Sequence, residues 1–186
     1  MPVTAYCLFE TTLGWCAIAW RESSDASDPF AVTAFQLPEA TAKMTKARIE
    51  QKTGATLTHI PPPQINKIMQ RICLHLQGGM QDFRDVPVDL EGTGWFLRKV
   101  CEAARTIPAG KTVTYAALAE AIGKPAQVRA VGRALGRNPI PLIIPCHRVV
   151  AAHGRPGGFS AHGGRVTKAR LLALEGATVN LCLDFT

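Results

Sequence analysis

The sequence predicts an α+β protein with a small mixed domain followed by a mostly helical domain. Three strand-like segments rich in Val, Ala, Phe and Trp lie within residues 3–37, whereas helical spacing dominates most of the rest. Charge is also divided unevenly: residues 1–92 carry 8 Lys+Arg and 10 Asp+Glu, whereas residues 93–186 carry 13 and 4. A net charge of −2 beside one of +9 favours a second half that binds a polyanion such as nucleic acid, although proteins without that role also carry basic surfaces.

Composition excludes several classes of protein. With 186 residues, 47% hydrophobic and 19% charged, the chain is typical of one globular domain or two small ones. No run approaches the ~18 apolar residues of a membrane span, and no secretory signal is visible at the N-terminus, so we expect a cytosolic protein with reduced thiols. The six cysteines form no Cys-x-x-Cys pair and the five histidines no paired ligand spacing, so no metal site is predicted.

The first domain, residues 1–87, is predicted to hold three strands and two helices. A short Gly-containing turn separates the first two strands, and a Pro-Pro-Pro break precedes the second helix. The predicted strands lie at 3–10, 14–20 and 31–37, and the predicted helices at 38–52 and 65–76. We find no motif in this half that indicates a catalytic or binding site.

The second domain, residues 88–186, contains a helix-turn-helix outline. Two short helices joined by a Gly123-Lys124 turn follow an earlier helix that ends at an Ile-Pro-Ala-Gly segment. The predicted helices lie at 95–105, at 115–122 behind a Thr114 N-cap, and from Pro125 to before Asn138.

The third of these helices has two unlike faces on a wheel of ~100° per residue. One face is apolar, and the opposite face mixes alanine with arginine. The apolar residues are Val128, Val131, Gly132 and Leu135, and the opposite residues are Ala126, Ala130, Arg129, Arg133 and Arg137. Small residues let a helix approach a surface closely, and arginines neutralise phosphates or enter a groove. The alternative is a solvated face on an ordinary helix, but the absence of Asp and Glu favours nucleic acid.

A short apolar run, Leu142 to Ile144, predicts a buried strand just before Pro145, Cys146 and His147. Neighbouring residues on a strand point to opposite faces, so a Cys-His pair requires irregular backbone, which the proline favours. A thiolate is a nucleophile and a nearby histidine can lower its pKa. Taken alone, this adjacency is weak evidence of catalysis and favours a core cysteine.

The residues on either side of Cys146 and His147 give a more specific indication than the pair itself. The segment NPIPLIIPCHRVV, residues 138–150, resembles the active-site signature of the O6-alkylguanine-DNA alkyltransferases, also called methylated-DNA–protein-cysteine methyltransferases. The flanking segments fit the same family. They are IPAGKTVTY at 107–115, RAVG at 129–132, and LLALEG at 171–176 with Lys168 before it. The resemblance is strong over residues 86–176 and weak over 1–85.

The resemblance implies an N-terminal ribonuclease-H-like α/β domain and a mostly helical C-terminal domain with a winged-helix-like helix-turn-helix. It implies DNA repair by direct reversal, in which an alkyl group moves irreversibly from O6 of guanine, with O4 of thymine as a further candidate, to a cysteine. The implied partner is double-stranded DNA containing O6-alkylguanine, with its target nucleotide flipped out. No cofactor, metal or membrane is implied. We expect a cytoplasmic monomer, nucleoid-associated in a bacterium, and leave cooperative binding to DNA open.

The resemblance also implies a catalytic set. Cys146 would accept the alkyl group, and His147 would act as its base through a water, oriented by Glu175. Tyr115 would donate a proton to the departing guanine, and Asn138 would brace the active-site turn. In such a displacement the thiolate attacks the alkyl carbon and the proton donor assists the leaving group, because guanine leaves poorly unless it is protonated.

For DNA, the resemblance implies that Arg129 enters the duplex and fills the space of the flipped nucleotide. Ala126, Ala130, Arg133 and Thr114 would complete the DNA-binding surface. In this family the helix-turn-helix occupies the minor groove, for which a face with small residues is suited.

The implied substrate-binding residues are Val149 and Ser160, through their backbone, with Phe159 and Lys168. Phe159 departs from the family pattern, which usually has Tyr there, so a hydroxyl that could bond the substrate oxygen is missing. The following segment, 161–167, is about two residues longer than the common pattern and contains two glycines, so we expect it to be mobile. We therefore expect slower methyl transfer and relative tolerance of larger alkyl groups.

Two other classes of function share parts of this pattern. Non-repairing relatives bind damaged bases and recruit excision repair, but carry Trp at the cysteine position, and Cys146 argues against that class. A helix-turn-helix transcription regulator would need a sensor domain, and no Cys-rich segment precedes this domain. Covalent gain of an alkyl group on Cys146 is expected only of a repair protein.

Overall fold

The computed structural model describes residues 4–22 and 30–177 of the protein. The chain forms two compact units. The first runs to Gly92 and takes in Pro139–Ile143, and the second comprises the chain between and after those segments. The architecture is α+β, with a mixed sheet in the first unit and mostly helices in the second. The predicted boundary between residues 87 and 88 stays a prediction.

The first unit is built on a four-stranded sheet. Its strands are β1 (Thr4–Thr11), β2 (Gly14–Glu22), β3 (Phe30–Gln36) and β4 (Thr56–Leu57). Their order is β3-β2-β1-β4, in which β1, β2 and β3 pair antiparallel and β4 pairs parallel to β1. The three predicted strands are confirmed to within two residues, whereas the two-residue β4 was not predicted.

Two helices accompany this sheet, α1 (Ala42–Thr53) and α2 (Pro63–Leu76). The prediction that the first begins at residue 38 is wrong, because the Thr41 hydroxyl accepts from the Met44 N–H and so fixes the helix start. Along α1, Ile49 is fully buried in a core cluster with Tyr6 of β1 and small alanines of β2.

The second unit is mostly helical. Its elements are α3 (Trp95–Arg105), β5 (Val113–Thr114), α4 (Tyr115–Ala121), α5 (Val128–Gly136), β6 (Val149–Val150) and α6 (Arg165–Leu174). The predicted N-cap is confirmed, since Thr114 Oγ1 accepts from the Ala117 N–H. The helix predicted from Pro125 begins instead with a separate 3-10 turn, Pro125–Gln127, before α5. Within the described residues, no helix is long and apolar enough to cross a membrane.

The strand predicted at Leu142 to Ile144 is wrong. Leu142 has φ 74°, in the left-handed region, so the chain turns there and does not extend. All three residues are nevertheless buried, because the same apolar run fills a core. A short apolar run does not distinguish a strand from a buried turn.

Candidate active site

Cys146 begins a one-turn 3-10 helix, Cys146–Arg148, so the irregular backbone expected around the cysteine is confirmed. Only 5% of the residue is exposed. Burial raises the pKa of the Cys146 thiol, while a hydrogen bond from Asn138 and the positive charge of Lys168 oppose that rise. The resting thiol is therefore protonated, and a nucleophilic thiolate requires a base.

Asn138 lies just past α5 and is buried beside the turn that carries the cysteine. Its Nδ2 donates to the Ile144 carbonyl at 2.8 Å, and the Cys146 N–H donates to the same oxygen at 2.8 Å. The two bonds tie the end of the helix to the active-site turn. Asn138 therefore contacts the backbone of the active-site turn, and its part in catalysis stays a prediction.

His147 and Glu175 form a buried pair, although 28 positions separate them in the chain. The distance from His147 Nε2 to Glu175 Oε1 is 2.9 Å, and both side chains are 0% exposed. Glu175 caps the C-terminal end of α6, and its Oε2 also accepts from the Gly110 N–H at 3.4 Å. A proton held on Nε2 by this carboxylate leaves Nδ1 as the basic ring nitrogen.

Arg148 completes this cluster, and sequence reasoning missed it. Its guanidinium binds the Glu175 carboxylate through Nε and Nη2, and its Nη1 donates to the Ile107 carbonyl at 2.5 Å. Buried arginines are rare unless paired, and a charge in an otherwise apolar segment was the signal available. That signal does not identify Glu175 as the partner of Arg148, because only the fold brings the two residues together.

Tyr115 and Lys168 form a second polar cluster. Lys168 is fully buried, and its Nζ donates to the carbonyls of Val149 at 2.5 Å and Gly158 at 3.3 Å and to Tyr115 Oη at 3.3 Å. Burial lowers the pKa of Lys168 to about 8, against the raising effect of Cys146. Burial raises the pKa of Tyr115, whose Oη donates to the Gly158 carbonyl at 3.3 Å.

A cavity of about 600 Å³ opens over the cysteine. Its lining is mostly apolar and comes from α4, α5, the cysteine turn and the segment after β6. The lining residues are Tyr115, Val128, Arg129, Gly132, Arg133, Leu135, Gly136, Cys146, Gly158, Phe159 and Ser160. This volume suits a purine with a substituent.

The arginine-bearing face of α5 is largely as predicted, since Arg129, Arg133 and Arg137 are exposed. Ala126, in the 3-10 turn before α5, is exposed and Ala130 is half-buried. The predicted apolar face is corrected: Val131, Ala134 and Leu135 are buried, whereas Val128 and Gly132 are only half-buried. The reason is that those two face the cavity and not the core. Thr114 is half-buried, with its hydroxyl engaged in capping α4.

Tyr115 is packed closely by the segment after β6. A Cβ on Gly157, which has φ +71°, would lie 2.9 Å from the Tyr115 ring, so only glycine fits. Phe159 is half-buried, Ser160 is exposed and Val149 is buried. In the longer segment 161–167, Thr167 Oγ1 donates to the His162 carbonyl at 2.6 Å. The mobility expected there stays a prediction.

No metal centre is evident in the described ranges, 4–22 and 30–177, which hold no group of three His, Cys, Asp or Glu side chains suited to a metal ion.

Comparison with known proteins decides the family. The model for the DNA binding domain of 6-O-methylguanine DNA methyltransferase matches residues 95–177. A methylated-DNA–protein-cysteine methyltransferase of Mycobacterium tuberculosis is 40% identical over 129 residues, which cover 68% of this chain and 76% of the relative. The chain belongs to the methylated-DNA–protein-cysteine methyltransferase family.

Other members of the family extend the likeness. The methylated-DNA–protein-cysteine methyltransferase of Mycolicibacterium paratuberculosis is 43% identical over 107 residues, which cover 58% of this chain and 62% of the relative. The match therefore spans less than two thirds of that relative's length. The crystal structure of Mycobacterium tuberculosis OGT in complex with DNA is 32% identical, with a TM-score of 0.70 over 92% of both chains. The α+β fold is thus that of the family.

Proposed function

We propose that this protein repairs alkylated DNA by direct reversal, acting as a methylated-DNA–protein-cysteine methyltransferase. It transfers a methyl or larger alkyl group from O6 of guanine in duplex DNA, and from O4 of thymine as a second substrate, to Cys146. The observation that carries this proposal is a buried cysteine that lines a cavity of about 600 Å³ and is followed by a buried His–Glu pair, in a member of this family. The thioether product is stable, so each molecule acts once.

His147 serves as the base for the thiol. The raised pKa of Cys146 requires a proton acceptor before attack, and His147 is the adjacent basic side chain. Glu175 fixes the imidazole, which takes up the thiol proton through a bridging water. Asn138 holds the turn so that the sulfur faces the cavity.

Tyr115 assists departure of the base. Sulfur forms a bond to the alkyl carbon while the bond from that carbon to O6 breaks, and the electron pair enters the purine. A proton on a ring nitrogen then yields neutral guanine, which leaves more easily than its anion. Tyr115 lines the cavity and supplies that proton.

Arg129 acts on the DNA and not on the chemistry. The target base is stacked in the duplex, and extruding it costs a few kcal/mol. Arg129 is exposed on α5 and also lines the cavity, so it can occupy the space that the base leaves. Arg133 and Thr114 contribute phosphate contacts, and Ala126 and Ala130 allow the helix to approach the minor groove.

The flipped base is held between the helix wall of the cavity and the segment after β6. The backbones of Val149 and Ser160 hold its polar edge, and Phe159, which lines the cavity together with Ser160, packs on the alkyl group. Lys168 fixes the carbonyls of Val149 and Gly158 in place. No metal or organic cofactor enters these steps.

We also propose finer structural assignments. The first unit is of the ribonuclease-H-like type, supported by three antiparallel strands followed by a parallel β4 beside β1. The helix-turn-helix belongs to a winged-helix-like domain, and the domains are 1–87 and 88–186. The protein works as a cytoplasmic monomer, associated with the nucleoid in a bacterium, on duplex DNA as its partner.

The test is intact-protein mass spectrometry after mixing with duplex DNA that contains one O6-methylguanine. We expect a gain of one methyl group, located on Cys146 by peptide mapping. Cys146→Ala should gain none while still binding the DNA, and Cys101→Ala, which removes another buried thiol of the same unit, should gain one as the unaltered protein does. A Cys146→Ala protein that still becomes methylated would overturn the proposal.

A further inference from the structure

The segment 151–174, which follows β6 and includes α6, carries positive charge and no negative charge. It contains three arginines, one lysine and two histidines, but no Asp or Glu. Lys168 is buried, whereas Arg155 and Arg165 are exposed. Exposed cations without nearby acidic residues in the chain attract anionic ligands. The segment is therefore a second basic surface of the same compact unit, in addition to the arginine-bearing face of α5.

Two of these arginines flank the stretch that lines the cavity. The cavity is lined by α5 and also by residues 158–160 of this segment. Arg155 lies three residues before that stretch, a span of at most about 11 Å. Arg165 lies after it, and the chain folds back there, because a Cβ on Gly164 would lie 3.9 Å from the Phe159 carbonyl oxygen. Both arginines are therefore attached close to the cavity, on the side formed by the segment after β6.

The guanidinium groups of Arg155 and Arg165 are available to a ligand. Neither has a hydrogen-bond or ion-pair partner among the residues that the structure describes. Arg84, which is also exposed, is by contrast paired with Asp82. A guanidinium presents a planar fork of N–H donors that matches the oxygens of a phosphate group. Unpaired arginines beside a cavity that takes a nucleotide base therefore point to the phosphates of the same nucleic acid.

We propose that Arg155 and Arg165 bind phosphates of the strand that carries the target nucleotide, beside the point where this nucleotide enters the cavity. This inference rests on the alkyl-transfer function proposed above. A flipped nucleotide stays attached to its strand, so the phosphates on either side of it remain near the cavity. Arg129 and Arg133 approach the DNA from α5, and Arg155 and Arg165 approach it from the segment after β6. These two arginines are positioning residues, because phosphate contacts fix the register of the strand without taking part in alkyl transfer.

The first test separates contact with DNA from the chemistry. We expect Arg155→Ala and Arg165→Ala each to slow transfer from O6-methylguanine in duplex DNA by about two- to fivefold, the effect of one exposed ion pair. Arg155→Lys and Arg165→Lys should retain most of the rate, because they keep the charge. Alkylation of Cys146 by free O6-benzylguanine should change by less than about 1.5-fold in all four variants, because the free base has no phosphate. Equal slowing on duplex and free base would overturn the proposal.

The second test identifies the strand. Single phosphates on either side of the lesion are replaced, one at a time, by an uncharged methylphosphonate. At the phosphate that Arg155 contacts, the replacement should slow the unaltered protein but slow Arg155→Ala no further, because residues that share one interaction are not additive. Arg165→Ala should behave in the same way at another phosphate. Losses that multiply at every phosphate of the lesion strand would overturn the proposal.

The third test measures binding without transfer, in a Cys146→Ala background. Each arginine removed should reduce the slope of log affinity against log salt by about 0.9, as expected for one lost phosphate contact. The matched control is Lys99→Ala, which removes an exposed cation from α3, an element absent from the described lining of the cavity, and which should leave the slope unchanged. The same loss of slope in Lys99→Ala would show a diffuse effect of net charge and contradict the inference. Absence of alkylation by either substrate would contradict the function instead, and the salt slopes would then decide the contact with DNA.

Discussion

The guanidinium of Arg148 binds the carboxylate of Glu175 side-on, with Nε 3.0 Å from Oε2 and Nη2 2.8 Å from Oε1. The same Oε1 lies 2.9 Å from His147 Nε2. Arginine keeps its charge at all accessible pH values, so the Arg148–Glu175 pair is neutral overall. The carboxylate that holds the His147 ring is therefore already balanced by a permanent cation.

Breaking this pair is expected to cost stability. Arg148→Met leaves Glu175 buried without its permanent cation, and removing one partner of a buried ion pair costs about 3–5 kcal/mol of unfolding free energy. Urea denaturation measures the loss. The control is Arg84→Met, which removes an ion pair with Asp82 between side chains that are more than half exposed, and which should leave the urea midpoint unchanged. Similar losses in both variants would show that burial is not the cause.

Arg129→Ala should separate flipping from chemistry. We expect transfer from O6-methylguanine in duplex DNA to fall by about 10- to 100-fold, since the variant no longer offsets ~1.4–2.8 kcal/mol of the extrusion cost. Transfer from free O6-benzylguanine should change by less than about twofold. Arg133→Ala is the comparison: it should weaken DNA binding and reduce the log–log salt slope by about 0.9, as expected for one lost phosphate contact. Equal losses on duplex and free base for Arg129→Ala would assign the arginine another role.

Phe159→Tyr tests the departure from the family pattern. Phe159 lines the cavity beside Ser160, so a Tyr hydroxyl there has access to the substrate oxygen. A bond to developing charge is worth ~1.5–3 kcal/mol, and we expect the lower end, about tenfold faster methyl transfer, because the Ser160 amide serves the same oxygen. Rates on O6-methyl- and O6-benzylguanine DNA measure the effect. A variant that is no faster on the methyl substrate would show that the missing hydroxyl has no influence.

Buried thiols should make the fold sensitive to alkaline pH. Burial raises the pKa values of Cys7, Cys16 and Cys101 from 9.0 to about 12. Between pH 9 and 12 the unfolded chain has lost these protons while the folded protein keeps them, so the unfolding free energy falls as pH rises. Lys168 acts in the opposite direction between about 8 and 10.5, but it is one group against three.

The measurement is urea unfolding from pH 8 to 11 with a reductant present. Cys16→Ala should make the decline above pH 9 shallower by about 1.4 kcal/mol per pH unit, the contribution of one proton. A slope that is the same in both proteins would mean that the Cys16 thiol does not titrate differently on unfolding.

The helices and the longer strands follow from sequence because each carries its own local signal. Thr114 caps α4 as predicted, and α3 has the predicted bounds, since capping and periodicity act over a few residues. The sites of Cys146, His147 and Glu175 were indicated by family resemblance and not by spacing alone. Periodicity does not reveal that residues 28 positions apart meet in the interior.

The errors arise where tertiary contacts override local pattern. The apolar run at Leu142 predicts a strand, but the residue takes a left-handed conformation in a buried turn. On α5, Val128 and Gly132 belong to the apolar face of the wheel but line a cavity. The sequence around Arg148 does not reveal its counter-ion, because that counter-ion, Glu175, lies at the end of α6.

The membership of Pro139–Ile143 in the first unit has a consequence for dissecting the chain. The Pro139 carbonyl accepts from the Phe35 N–H at 3.0 Å and from Lys52 Nζ at 2.8 Å. A recombinant fragment that stops at Gly92 therefore lacks five of its own residues and leaves a strand amide without its acceptor. The N-terminal half expressed alone would be an incomplete folding unit, and a short synthetic peptide spanning the missing residues is the natural complement to supply in trans.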